Sequence, residues 1–388
     1  QGCAIKMDKC MADNMTSLIA NLENLLCPPG NGVFTVNTAK ARKEKLHLAC
    51  FGSTDNVEQL WQESLRNLAH GSDALLLGIA SDCGGGILRG ANWGPLFVRS
   101  TLKEHFPDSG YFDLGDVRVI PHLLHDKYLN QATIENCNRA LYQTQSGKTP
   151  NGQDSRQYPV SPLSITQDVA SMIYASFPQK GIFAIGGDHS VSYPLVKAYL
   201  QAKKVQGKRA AVIHFDAHTD LLTERLGIDL CFGSWCTHIL QDLVDPSLLV
   251  QLGIRSSGKP KAYWQDTFGI TQHWADEIQT QGVEVITQAI ITQLTAHQVD
   301  ELYVSFDIDA IDEQYAAATG TPEAGGLHPQ VALDIIRILG EHFSVTGADM
   351  MEVAPFTNST ENAKDAQATT LQVAGEISAL LIAQIARP

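Results

Sequence analysis

The chain has 388 residues, of which 44% are hydrophobic, 18% charged and 7% aromatic. This composition can bury a large core and excludes an intrinsically disordered chain. The 28 basic and 42 acidic residues give a formal net charge of -14. That charge repels nucleic-acid phosphates and argues against an anionic membrane surface. It leaves open an enzyme that acts on small molecules, including one that holds cations among its carboxylates.

Residues 1–71 contain one good helix pattern, at 56–69, and we treat them as an N-terminal extension packed on the core or on a neighbouring subunit. The leading Gln-Gly is typical of a tag remnant. From residue 72 to 388, apolar β-rich runs alternate with amphipathic stretches, which predicts an α/β fold of three αβα layers around a mainly parallel sheet. The predicted strands are 74–79, 181–185, 211–215, 249–252, 283–286, 301–306 and 344–350, and the predicted helices are 165–177, 191–203, 329–339 and 363–386.

The eight cysteines are scattered, without a CxxC pair. This usage is typical of a reduced, cytoplasmic chain. No run of 18 or more apolar residues appears, so we expect no membrane span.

Polar side chains follow one predicted strand at every second position. The run AVIHFDAHTD at 211–220 places Asp216, His218 and Asp220 directly after the strand. Alternate residues of an extended chain point the same way, so these three can converge on one point. We expect His214, inside the strand, to be a buried supporting group rather than a ligand.

Two further runs end in the same way. LYVSFDID at 302–309 presents Asp307 and Asp309, and IFAIGGDH at 182–189 presents His189, while Asp188 has the character of a helix cap. Two imidazoles and four carboxylates suit Mn²⁺ better than a thiolate-preferring Zn²⁺ site. Six such ligands exceed the needs of one metal, whereas two metals sharing bridging aspartates would use them all.

These motifs resemble those of the ureohydrolase family, which includes the arginases and agmatinases. The resemblance covers roughly residues 72–386 and includes GGDHS at 186–190, DAHTD at 216–220, SFDIDAID at 305–312 and MEVAP at 351–355. It implies an arginase-like fold, a catalytic domain over 72–388 and hydrolysis of a guanidino carbon–nitrogen bond with release of urea. It also implies two divalent ions, Mn²⁺ or alternatively Ni²⁺, bound by His189, Asp216, His218, Asp220, Asp307 and Asp309.

The resemblance gives Glu352 the role of binding the guanidinium, since a carboxylate can accept two parallel hydrogen bonds from that planar cation. A water activated by the two metals would attack the guanidino carbon, and Asp309 beside it could accept and relay a proton.

One stretch departs from the family pattern. The family commonly has a His-Gly pair after its second metal motif, and Phe232 stands where that histidine would be. Either His238 or solvent takes its role, or the substrate differs from arginine. Phe232 and Trp235 are either core residues or aromatic groups that narrow the pocket around a cation. A narrowed pocket favours a small substrate such as guanidine, which one nickel-dependent branch of the family hydrolyses.

Guanidine, agmatine and guanidinobutyrate therefore remain alternative substrates. The alternative function is that of a catalytically impaired family member acting as a binding or regulatory subunit, which the missing histidine allows. The resemblance also implies a homo-oligomer, a trimer or hexamer.

Overall fold

A single β-sheet runs through the molecule, and the predicted ligands lie at the carboxyl ends of its central strands. The computed structural model describes residues 2–33, 37–85, 88–143, 157–357 and 363–387. Within these ranges nine strands pair in the order β1-β3-β2-β4-β9-β8-β5-β6-β7, all parallel except the antiparallel pair β1 and β3. The strands are β1 Leu26–Cys27, β2 Ala74–Ile79, β3 Phe112–Val117, β4 Gly181–Gly186, β5 Ala210–Phe215, β6 Leu249–Leu252, β7 Thr271–His273, β8 Glu301–Asp307 and β9 Ser344–Met351.

Helices connect the strands and cover the sheet, as the parallel topology requires. They are α1 Gly2–Leu25, α2 Lys40–Phe51, α3 Val57–Leu65, α4 Gly94–His105, α5 Gln131–Asn138, α6 Pro162–Ser176, α7 Ser192–Val205, α8 Trp235–Ile239, α9 Lys261–Phe268, α10 Ala275–Gln281, α11 Val283–Ala296, α12 Pro329–His342 and α13 Ala363–Ile385. The predicted three-layer α/β class is confirmed.

The four central strands, β4, β9, β8 and β5, are mutual neighbours in the sheet. Strands β4, β5 and β8 are buried along their whole length. Their apolar sequences reflect this burial on both faces. Because the strands are parallel, their carboxyl ends meet at one edge of the sheet, where loops face a crevice.

The predicted strand at 283–286 is wrong, because these residues form the first turn of α11. The run VEVI is apolar and β-branched, so its local preference favours a strand. In the folded chain Ile286 and Ile290, four residues apart, are buried on the same helix face. The short strands β1 and β7 and the six-residue strand β3 were not predicted.

The N-terminal segment packs on the main sheet. Leu22, Leu26 and Trp61 are fully buried in the common core. Asp116, at the end of β3, accepts hydrogen bonds from the backbone N–H groups of Gly30 (2.9 Å) and Gly32 (3.1 Å). The boundary at residue 72 stays a prediction, as does the origin of the first residues; Gln1 lies outside the described residues.

Helix α13 is long and apolar enough, by length and composition, to cross a membrane over Lys364–Ile385. It packs against β9 and α4, and 61% of an apolar 18-residue stretch within this segment is buried inside the molecule. Burial in the core accounts for its apolar sequence.

Candidate metal centre

The six predicted ligands lie together at the carboxyl ends of three neighbouring strands. His189 follows β4, Asp216 follows β5 and Asp307 ends β8. All three are at least 97% buried. The side chains that the sequence places at every second position, Asp216, His218 and Asp220 after β5 and Asp307 and Asp309 at the end of β8, thus lie in one cluster.

The first donor group surrounds the Nδ1 atom of His189. This nitrogen lies 3.1 Å from Asp216 Oδ2, 3.2 Å from Asp220 Oδ2 and 3.1 Å from Asp307 Oδ2. Three carboxylates and one imidazole nitrogen thus converge on a single buried point.

The second donor group surrounds the Nδ1 atom of His218. It lies 3.2 Å from Asp216 Oδ1 and 3.1 Å from Asp309 Oδ2. Asp216 belongs to both groups, one oxygen facing each histidine. Donor atoms of Asp216, His218 and Asp309 all lie within 4.8 Å of one another, an arrangement suited to a metal ion.

A buried hydroxyl network holds a proton on Nε2 of His189. Asp349 accepts hydrogen bonds from the hydroxyls of Ser192 (2.9 Å), Tyr303 (2.8 Å) and Ser305 (2.8 Å). Because Ser305 gives its only proton to Asp349, its oxygen accepts from Nε2 of His189 at 2.9 Å. With Nε2 protonated, the neutral imidazole presents the Nδ1 lone pair to three carboxylate oxygens, which fits a cation between them.

The buried carboxylates of the cluster repel one another, and a positive charge between them would offset this repulsion. Burial, and next the Asp216 carboxylate, raise the pKa of Asp220 well above its usual range. Burial and Asp309 do the same to the pKa of Asp307. Burial opposes a charged His189, yet the hydrogen bonds that its ring donates to the carboxylates of Asp216 and Asp307 raise its pKa well above the usual value. A proton on Nδ1 of His189 can form a strong hydrogen bond to only one of the three carboxylates at a time. A divalent ion in its place can bind the nitrogen and all three carboxylates together. The donor set therefore fits metal ions.

Glu352 lies beside this cluster, directly after β9. Its Oε1 accepts a hydrogen bond from the backbone N–H of His189 at 2.8 Å. Burial, followed by the charges of Asp307 and Asp188, raises the pKa of Glu352 well above its usual range. A cation held nearby would offset this effect.

Two of these acidic residues have left-handed backbone conformations that non-glycine residues rarely adopt. Their φ angles are +52° for Asp220 and +64° for Glu352. Such a conformation costs of order 1–3 kcal/mol and tends to persist where surrounding contacts enforce it, often at functional sites. At Glu352 the backbone N–H donates to the Gly187 carbonyl at 3.0 Å, which connects β9 to the glycine turn before His189.

The three other predicted site residues, Trp235, Phe232 and His238, have different surroundings. Trp235 is fully buried, and its indole N–H donates to Asp220 Oδ2 at 2.8 Å. Phe232 is half-buried and lines a cavity of about 490 Å³, where the Arg225 guanidinium lies 5.2 Å from its ring centroid. His238 contacts the Asp229 carbonyl at 2.9 Å and is not among the donor groups. Substrate contact by Phe232 and Trp235, and catalysis by His238 and Asp309, stay predictions.

Several supporting residues were missed by sequence reasoning. Glu323 lies 3.2 Å from Nε2 of His218, and Thr321 donates to Asp309 Oδ2 at 2.9 Å. Asp349 and Ser305 are on adjacent strands, and pairing of β8 with β9 makes them register partners. An isolated buried Asp in β9 was the one available signal. The predicted cap Asp188 is confirmed, since its Oδ1 accepts from Ser190 N at 3.0 Å.

Comparison with known proteins supports one family. The model of the arginase family matches residues 72–385. The chain is 35% identical to the agmatinase of Chromobacterium violaceum over 206 residues, 52% of this chain and 59% of that protein. It is 30% identical to the mitochondrial agmatinase of Gallus gallus over 310 residues, 76% of this chain and 77% of that protein.

A solved structure has the same architecture. Proclavaminate amidino hydrolase from Streptomyces clavuligerus superposes with a TM-score of 0.60 at 27% identity, covering 81% of this chain and 92% of that one. The family model spans all of the donor residues and Glu352. The chain belongs to the arginase family.

Proposed function

We propose that this chain is a dinuclear metal-dependent hydrolase that cleaves a guanidino carbon–nitrogen bond and releases urea. The arginase family and the agmatinase relatives support the reaction class. The observation that carries the proposal is the shared carboxylate of Asp216, whose two oxygens face the Nδ1 atoms of two histidines.

In this proposal His189, Asp216, Asp220 and Asp307 bind one divalent ion, and Asp216, His218 and Asp309 bind a second. When bound, such a pair of ions lowers the pKa of a water molecule and supplies hydroxide at neutral pH. Oxygen and imidazole donors favour Mn²⁺, and Ni²⁺ is the alternative.

The protein's own groups position the substrate. Glu352 is fixed at Oε1 by the His189 N–H, and its carboxylate binds the planar guanidinium. Burial strengthens this attraction because little water competes for either charge. Asp309 is held by the Ala217 N–H at Oδ1 (3.0 Å) and by Thr321 at Oδ2, so it can accept a proton only at a defined position.

The net reaction adds water to the guanidino carbon and breaks one carbon–nitrogen bond. Urea is one product, and the other is an amine, or ammonia when the substrate is guanidine. We propose guanidine, agmatine or guanidinobutyrate as substrate, since Phe232 replaces the family histidine beside the cavity. We further propose a homo-oligomer in the cytoplasm, a location supported by the free thiols of Cys27, Cys50, Cys83, Cys137, Cys231 and Cys236.

The test is a release assay on protein stripped of metal and reloaded separately with Mn²⁺ or Ni²⁺. Urea and ammonia are measured with guanidine, agmatine, guanidinobutyrate and arginine. We expect metal-dependent urea release from at least one of the first three and the lowest rate with arginine. No turnover with any substrate and either metal would contradict the proposal and favour the alternative, a non-catalytic binding subunit.

A further inference from the structure

A row of buried polar side chains extends away from the donor cluster across three strands. His214 on β5, Gln251 on β6 and Gln272 on β7 are successive register partners in the sheet. They are 0%, 0% and 1% exposed. Polar groups are costly to bury unless each is hydrogen-bonded, so their pairing is a property of the folded core.

Trp274, at the outer end of this row, determines which groups donate and which accept in the hydrogen bonds that follow. The indole N–H of Trp274, which can only donate, contacts Gln272 Oε1 at 3.0 Å. The amide nitrogen of Gln272 therefore points inward and donates to Gln251 Oε1 at 2.8 Å. We call Trp274, Gln272 and Gln251 the glutamine relay.

A second, independent contact fixes the inner amide. Nε2 of Gln251 donates to the Thr219 carbonyl, an acceptor only, at 2.5 Å. The same nitrogen lies 3.0 Å from Nδ1 of His214. Cys236 Sγ lies 3.5 Å from the same Nδ1, but two N–H groups cannot face each other across the 3.0 Å contact to Gln251. Nδ1 of His214 is therefore an acceptor without a proton, and the proton of the neutral ring is on Nε2.

This tautomer determines what His214 does at the metal centre. Its Nε2 lies 2.9 Å from Asp216 Oδ2, close enough to belong to a potential metal-binding group with His189 and Asp220. An Nε2 that carries a proton cannot bind a metal ion, and Nδ1 already accepts from Gln251. His214 therefore donates to Asp216, the carboxylate that both donor groups share.

We propose that the glutamine relay locks His214 as an Nε2–H donor and so positions Asp216 for both metal ions. His214 is thus a positioning residue rather than a ligand. The metal part of this inference rests on the proposed function, whereas the tautomer can be measured without metal. Support of this kind from residues behind the ligands typically changes metal affinity about 10–100-fold.

The first test is the protonation of His214 in metal-free protein. Long-range ¹H–¹⁵N correlation on protein labelled at histidine, with the signals assigned by a His214→Phe variant, shows which nitrogen carries the proton. We expect the Nε2–H form in the unmodified chain. In Gln251→Glu, which offers only acceptors, we expect the proton on Nδ1. A proton on Nδ1 in the unmodified chain would overturn the proposal.

The second test is the affinity for Mn²⁺ and Ni²⁺, measured by competition with a chelator. Gln251→Met keeps the side-chain length but removes the donor, and we expect binding to weaken about 10–100-fold. Gln293→Met is the matched control, because Gln293 also bonds to β7, through Thr271 Oγ1 at 2.8 Å, but lies off the relay. Unchanged affinity in Gln251→Met, or an equal loss in the control, would contradict the relay.

Trp274→Phe covers the case in which Gln251→Met does not fold. It keeps an aromatic ring at the half-buried outer end and removes the donor that orients Gln272, whereas the Thr219 carbonyl still orients Gln251. We therefore expect a smaller share of the Nε2–H form of His214 and a smaller loss of metal affinity than in Gln251→Met, and no change in either quantity would contradict the relay. If the unmodified chain has the expected tautomer but binds neither metal, the proposed metal site is wrong and the relay stands. If it binds metal tightly but has the proton on Nδ1, the relay is wrong and the metal site stands.

Discussion

At the scale of single residues, the donor cluster makes one aspartate different from the others. Asp216 faces both histidines, whereas Asp309 belongs to the second donor group alone. We therefore expect Asp216→Asn to lose both ions and turnover, and Asp309→Asn to retain the ion of the first group. Metal content per chain, measured by mass spectrometry after gel filtration, distinguishes them. Urea release by Asp216→Asn at the unmodified rate would show the assignment to be wrong.

Phe232 tests substrate choice at the same scale. Its ring lines the cavity near Arg225. The sequence resemblance would place a histidine at this position. We expect Phe232→His to extend the range of guanidino compounds hydrolysed toward longer ones, since it replaces an apolar ring with a hydrogen-bonding one. Relative kcat/KM values for guanidine, agmatine and arginine measure this change. An unchanged order of substrates would remove Phe232 from the determinants of specificity.

At the scale of elements, one buried arginine connects helix α4 to strand β3. Arg99 is fully buried and pairs with Asp113 at 3.0 Å and Asp116 at 2.6 Å. Replacing it with Met leaves two carboxylates in the interior without their counter-charge, so we expect the free energy of unfolding to fall by about 3–5 kcal/mol. Arg337→Ala, which breaks an exposed pair with Asp334, should change it by about 0–1 kcal/mol. Urea denaturation of both variants compares the two losses.

The sequence predicted those strands whose apolar residues match their burial in the structure. Strands buried throughout, such as β5 and β8, are mainly apolar runs, and ligand-type residues placed two apart at their ends mark the site directly. Strand β7 has the polar sequence TQH, because its Gln272 pairs with another glutamine across the sheet. Such partners are distant along the chain, so no local pattern reveals them. The Asp349 network was hidden for the same reason.

At the scale of the whole molecule, folding brings negatively charged side chains together in the site, and their repulsion opposes the folded state. The chain has a net charge of -14, and the donor residues bring four carboxylates into one buried cluster. Ions that bind the folded state alone should therefore stabilise it, by about 2.7 kcal/mol when present at about 100 times their Kd. We expect a chelator to lower Tm and added Mn²⁺ to restore it. Asp216→Asn should be insensitive to both, and a Tm of the unmodified chain indifferent to chelator would contradict the expectation.

The two-residue strand β1 has a consequence for association between chains. Leu26 and Cys27 pair with Val117 and Asp116, so they cover the outer side of β3 at the end of the sheet. An uncovered edge strand offers unpaired backbone groups to any other extended chain. Proteolytic removal of the segment before residue 28 would expose β3 in this way, and the cleaved protein should self-associate through strand pairing. We therefore expect the N-terminal segment to protect the sheet against aggregation, and light scattering of the cleaved protein that stays at the level of the uncleaved chain would contradict this expectation.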